Sequence, residues 1–153
     1  MKADKPLPRL LARLLVGGVF VYAGAPKVVH VEQFALAVSN YRLLPENLVS
    51  LVALIVPWLE VVIGVCLLAG LLTRAAAWLS ALLSGAFAAA VASAVVRGLD
   101  IECGCFSGPA PVDWPHVGFN LLTLAVSLYL ARVGAGAWSA DCRWQLDETP
   151  LED

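Results

Sequence analysis

Residues 48–72, LVSLVALIVPWLEVVIGVCLLAGLL, carry a single charged side chain, Glu60, in an otherwise apolar run. A helix needs about 20 apolar residues to cross roughly 30 Å of hydrocarbon, so this run reads as a membrane span. Three more runs of similar character follow the same rule: 10–29, 75–96 and 117–137. The 153 residues are 60% hydrophobic and only 14% charged, with a mean hydropathy of +0.81. That composition leaves too little polar surface for a water-soluble domain and marks one integral membrane domain. The net charge of −2 and the absence of a dense basic cluster argue against a nucleic-acid partner. The bilayer is the first partner the chain requires.

The first span resembles a signal peptide, with a basic start, an apolar middle and Ala23-Gly24-Ala25 like a cleavage site. Pro26 would then follow the cut, where it is poorly accepted, so this segment is expected to stay as a helix. Basic residues set the orientation. An even number of spans puts both termini on one side, together with Lys2, Lys5, Arg9, Arg13, Arg74, Arg132 and Arg143. Only Lys27, Arg42 and Arg97 fall on the other. The positive-inside rule therefore places both termini in the cytoplasm. Trp58 and Trp114 suit the outer interface, Trp78 and Trp138 the inner one.

The expected fold is an all-α, four-helix integral membrane bundle with a short interfacial helix between spans one and two. That helix is expected over 32–44, where Phe34, Val38 and Tyr41 share a face and Pro45 ends it. The short turn at Leu72-Thr73-Arg74 makes an antiparallel hairpin of spans two and three. Span three repeats Ser80, Ser84, Ala88 and Ala92 at four-residue spacing, a face that lets helices approach closely and that suits the centre of the bundle. Residues 1–138 are read as the membrane domain and 139–153 as a short, acidic, frayed cytoplasmic tail.

Two places carry chemistry. The stretch DIECGCFSG, 100–108, holds Cys103 and Cys105 one glycine apart, in a loop expected outside, where disulfides persist. A pair at this spacing closes only a tight ring, for which Gly104 supplies backbone freedom. Strained disulfides are easily reduced, which favours a redox pair; structural thiols and a metal site are the other readings. His30 and His116 lack diagnostic metal spacing. The N-terminus of span four favours thiolate, whereas Asp100, Glu102 and Asp113 oppose it. Cys66 and Cys142 lie toward the other side and read as packed or free thiols.

Glu60 is the second place. It lies about 12 residues into its span, roughly 18 Å deep at 1.5 Å per residue. A charge at the centre of a span costs on the order of 3 kcal/mol on insertion scales, so Glu60 needs a partner, a proton or a polar cavity. Pro57 is expected to kink the same helix. Lys27, with Tyr22 nearby on span one, is the natural partner. Glu60 and Lys27 read either as a proton-accepting site or as an ion pair that fixes helix register.

The segments YAGAPKVVH, YRLLP, PWLEVVIGVCLLAGLLTR and IECGCF together resemble the MauE/DoxX redox-associated membrane proteins, and more narrowly the methylamine-utilisation MauE branch. The resemblance covers about 10–131 and departs after the cysteine pair, where Ser107 separates Phe106 from Gly108. It implies extracytoplasmic thiol–disulfide or electron transfer through Cys103 and Cys105, in the inner membrane, with a periplasmic thioredoxin-like partner. It further implies a part in maturing the disulfide-rich small subunit of methylamine dehydrogenase, with a quinone or another membrane subunit as electron acceptor. The alternative from a different class is a non-enzymatic scaffold or small-solute carrier with structural thiols, in which Lys27, Glu60, Asn120 and Thr123 line a polar passage.

Overall fold

The computed structural model describes residues 6–99, 101, 112–134, 136 and 139–141. Its elements are five helices: α1 Pro6–Val29, α2 Val31–Asn40, α3 Glu46–Ala69, α4 Thr73–Val96 and α5 Trp114–Val133. Helices α1, α3, α4 and α5 are each long and apolar enough to cross a membrane. The molecule is thus a helical membrane bundle of four spans plus the short α2 between the first two. Cys103, Cys105, Trp138, Cys142 and Arg143 lie outside the described residues.

The helix ends follow local chemistry more closely than hydropathy does. The first helix begins at Pro6 rather than at residue 10, because proline is tolerated in a first turn whose N–H groups have no helical acceptor. The second ends at Asn40, short of residue 44: Tyr41 caps it and Arg42, at φ 51°, turns the chain away. Pro45 stands as the extended N-cap of α3 rather than as the stop of α2. Gly70 at φ 73° ends α3 at Ala69, three positions before the apolar run stops. Asp113 opens α5 by accepting the His116 backbone N–H at 3.1 Å, and Gly134 at φ 76° closes it before residue 137. Only glycine enters this left-handed region at little cost. Through Pro57, α3 runs on as one helix.

The four spans form a ring in which α1 packs broadly on α3 and α4 on α5. The α3–α4 contact is narrower despite the tight turn, and α1 meets α5 along a still looser seam. The α4 helix therefore shares the core with the other spans instead of occupying its centre. Close approach of α1 and α3 rests on glycine. A Cβ on Gly64 would lie 2.8 Å from both the Val21 nitrogen and the Gly17 oxygen, and one on Gly24 would lie 2.8 Å from the Glu60 Cβ. Where α4 faces its neighbours it buries Ala77, Ser80, Ala81, Ser84 and Ala88, so part of the expected small-residue face is the packing face. In lipid, where apolar burial gives no preference for helix over acyl chain, this close packing is what associates the spans.

The apolar core falls into two clusters at opposite ends. Val16, Phe20, Ile63, Leu67, Ala76, Ala77, Leu130 and Ala131 fill the end near the α3–α4 turn. Tyr41, Val91, Ala94 and Val117 fill the end near α2. Burial there pushes the Tyr41 phenol up to about 12.

At the turn end, Arg13 is buried to 2% exposure, although it counts as only one of several basic residues in the orientation argument. Its Nε donates to the Leu67 carbonyl at 3.0 Å and its Nη2 to that of Leu68 at 3.3 Å, so α1 satisfies the last carbonyls of α3. Across the turn, Asp141 accepts the N–H groups of Leu72 at 2.7 Å and Thr73 at 2.9 Å, capping α4. The Asp141 N–H in turn donates to the Gly70 carbonyl at 3.0 Å. Residues 139–141, the start of the segment expected to fray, are therefore anchored.

Gly64→Ala is expected to destabilise the bundle by about 1–3 kcal/mol, since backbone atoms of α1 must move. Gly118→Ala, with nothing within 4 Å of the new Cβ, should leave unfolding in detergent unchanged or slightly raised. Equal effects at the two positions would refute the close α1–α3 contact.

Candidate functional site

Glu60, Ser84 and Thr123 lie near the midpoints of α3, α4 and α5. Between the two apolar clusters they form a polar layer. Lys27 reaches it from α1, and its Nζ donates to both carboxylate oxygens of Glu60, at 2.9 and 3.0 Å. The ion pair is buried on both sides, with 7% and 4% of the two side chains exposed. Lys27 is near the end of α1, yet meets the middle of α3, because the two helices are offset along their axes. Arg13 beside Leu67 and Gly17 beside Gly64 show the same offset.

Two aromatic rings complete the surroundings of the ammonium. The Phe34 ring of α2 lies 4.9 Å from Nζ and the Phe87 ring of α4 lies 5.1 Å away. Each presents its π face to the cation, an attraction that grows as water is removed. Phe34 belongs to the face of α2 read from the sequence, but its role over Lys27 was not legible there, nor was that of Phe87. Tyr22, expected near the pair, is largely exposed on the flank of α1.

On the α5 side of the pair is a cavity of about 30 Å³, walled by Lys27, Glu60, Ser84, Asn120 and Thr123 among polar residues and by Phe20 and Phe119 among apolar ones. The four residues expected to line a polar passage, Lys27, Glu60, Asn120 and Thr123, thus converge on one space. Asn120 donates from Nδ2 to the His116 carbonyl at 2.9 Å, and Thr123 donates to the Phe119 carbonyl at 2.9 Å. These bonds use donors and leave acceptor lone pairs for a guest. The volume is an order of magnitude below pockets that take drug-sized ligands, so a quinone ring does not fit here.

Around the site, Asp113 is held below the usual carboxylate range, first by its hydrogen bond from the His116 side chain and then by the His116 backbone N–H. His116 is therefore engaged with its helix cap. Cys66 remains a thiol beside the Val16–Leu130 cluster.

The chain that carries this buried pair has counterparts among known families. The family model described as Methylamine utilisation protein MauE matches residues 5–133. The chain belongs to the MauE family. It is similar to the methylamine utilization protein MauE of Paracoccus denitrificans, at 38% identity over 130 residues that cover 83% of this chain and 70% of that protein. To the MauE of Methylophilus methylotrophus it is 36% identical over 134 residues, 85% of this chain and 70% of that one. No solved structure matches. Lys27, Glu60, Cys103 and Cys105 all fall inside the MauE match by residue number.

Glu60→Gln is expected to cost roughly 3–5 kcal/mol, because it leaves the Lys27 charge buried without a counter-charge. Adding Lys27→Met should restore most of that loss, giving a large coupling in a double-mutant cycle read by unfolding in detergent. Additive effects of the two changes would mean that the pair contributes no mutual stabilisation.

Proposed function

We propose that this MauE-family chain is an inner-membrane component of methylamine utilisation that takes part in extracytoplasmic thiol–disulfide exchange through Cys103 and Cys105. The observation that carries this reading is the MauE match across 5–133, which spans both the ion-pair helices and the Cys-Gly-Cys stretch. The excess of basic residues on the side of the termini supports an outward-facing cysteine loop.

In the exchange, a thiolate of a periplasmic thioredoxin-like protein attacks one sulfur of the Cys103–Cys105 disulfide. An S–S bond to the partner forms as the intramolecular one breaks, releasing the other cysteine as thiolate. The partner's second thiolate then attacks the mixed disulfide. The partner leaves as a disulfide and the pair as a dithiol, after transfer of two electrons and two protons. A second disulfide-bearing protein returns the pair to its oxidised form by the same exchange in reverse. Within the bundle, Lys27 and Glu60 are assigned to hold and accept a proton. The scaffold or carrier reading draws its support from the convergence of Lys27, Glu60, Asn120 and Thr123, with the cavity volume restricting any guest to the size of water.

The test uses a Paracoccus denitrificans strain lacking its own MauE and carrying this chain. The wild-type chain should restore growth on methylamine, and Cys103→Ser with Cys105→Ser should abolish it while the protein still accumulates in the membrane. One of the two single substitutions, and not the other, should trap a reductant-sensitive adduct on a non-reducing gel. Failure of the wild-type chain to restore growth would remove the methylamine assignment. A double variant that is unstable, with no adduct from either single one, would make the pair a structural staple.

A further inference from the structure

The cavity beside Glu60 has a property that neither thiol exchange nor family membership requires: five polar side chains interrupt its apolar walls at the middle of the bundle. Lys27, Glu60, Ser84 and Thr123 are each more than nine-tenths buried, and all of them, with Asn120, border the same space of about 30 Å³. A buried water needs on the order of 10–15 Å³ and two to four polar partners, whereas apolar cavities of larger size stay dry. This space exceeds the minimum, and its walls offer more partners than one water can use. Left dry, the polar side chains of Ser84 and Asn120 that wall this space would forgo hydrogen-bonding partners that a water supplies.

The surroundings are also one-sided. Toward α2 the ammonium is covered by the Phe34 ring, and toward α4 by that of Phe87. Toward α5 it borders the cavity walled by Asn120 and Thr123, and there α1 and α5 meet along the loosest of the four seams of the ring. We propose that this cavity is a hydration site, holding one or two water molecules against the Lys27–Glu60 pair by way of Ser84, Asn120 and Thr123. Water enters from the α1–α5 seam and is excluded beneath α2. Glu60 thereby gains an exchange route for its proton in a span that is otherwise anhydrous, independent of what the cysteines do.

X-ray radiolytic footprinting of the wild-type chain in lipid nanodiscs tests this directly, because radicals formed from bound water oxidise the side chains beside it. Corrected for intrinsic reactivity, Phe20, which walls the cavity and is only 5% exposed, should be oxidised several-fold faster than Leu67 and Leu130, which are fully buried in the apolar cluster. Ala23→Val, which fills the cavity from α1, should reduce the Phe20 rate to that of the leucines. A Phe20 rate no higher than those of the leucines would mean a dry cavity and overturn the proposal. Unchanged rates in a folded Ala23→Val protein would mean that the radicals come from elsewhere and overturn it equally. Should Ala23→Val not fold, the wild-type comparison still decides. As an independent reading, the protonated Glu60 of Lys27→Met should exchange with D2O within seconds by infrared spectroscopy if the cavity is wet, and over many minutes if it is dry.

Discussion

An ammonium and a carboxylate are held 2.9 Å apart in the middle of a span-forming bundle, and the placement of the other helices follows from making that tolerable. Removing two charges from water costs several kcal/mol per ion, and mutual attraction offsets this only if the remaining valences are met. Here Lys27 binds both oxygens of Glu60, two rings cover it toward α2 and α4, and it borders the polar cavity toward α5. Each condition fixes a helix. Contact with Glu60 sets the axial offset of α1 on α3, and Gly24 removes the side chain that would hold them apart. The Phe34 ring ties α2 over the pair, and the Phe87 ring ties α4 beside it. A bundle without this pair would be free to slide along its apolar surfaces, because lipid-facing Leu and Val contacts carry little register information.

The opposite end solves a different problem. A tight turn between two long spans leaves the first N–H groups of α4 without helical acceptors and the last carbonyls of α3 only partly met, by the Gly70 and Leu71 N–H groups at Leu67 and Cys66. A positive group from α1 meets the carbonyls and a negative one from the C-terminal segment meets the N–H groups, each with the sign that the helix dipole favours. Two distant parts of the chain thus converge on Gly70 and Leu72, whose left-handed conformations make the turn short. Register is set at the middle by Lys27 and Glu60, and closure is set at the turn by Arg13 and Asp141.

Much of this was legible in one dimension. Span count follows from apolar run length, which needs no knowledge of packing. Glu60 stands out because a lone carboxylate in such a run is costly wherever its helix sits, and Lys27 follows as the available cation of the adjoining span. What was not legible depends on helix rotation and axial offset. Arg13 counts as a solvated charge in any tally of basic residues, yet it is buried, because the offset of α1 carries it to the end of α3. Phe34 and Phe87 read as ordinary apolar side chains, and only the meeting of three helices puts their rings on one ammonium. Helix ends depart from the apolar runs where glycine overrides hydropathy, at Gly70 and Gly134.

The layering also bears on why the chain keeps a polar middle at all. If register were the sole requirement, a lysine and a glutamate in a dry contact would suffice, and replacement by packed apolar residues would serve stability as well or better. Instead the hydroxyl of Ser84 and the amide of Asn120 border the same space, on helices that the ion pair does not itself touch through a hydrogen bond. Close packing of α4 on α5 is equally served by alanine, which fills much of the remaining buried face of α4. Hydroxyl and amide groups at this depth add hydrogen-bonding capacity rather than fit. Intramembrane ionisable groups with such neighbours mark paths for protons or small polar solutes. The side chains that enclose the pair thus act in two senses, aromatic rings excluding water on one flank and polar groups retaining it on the other.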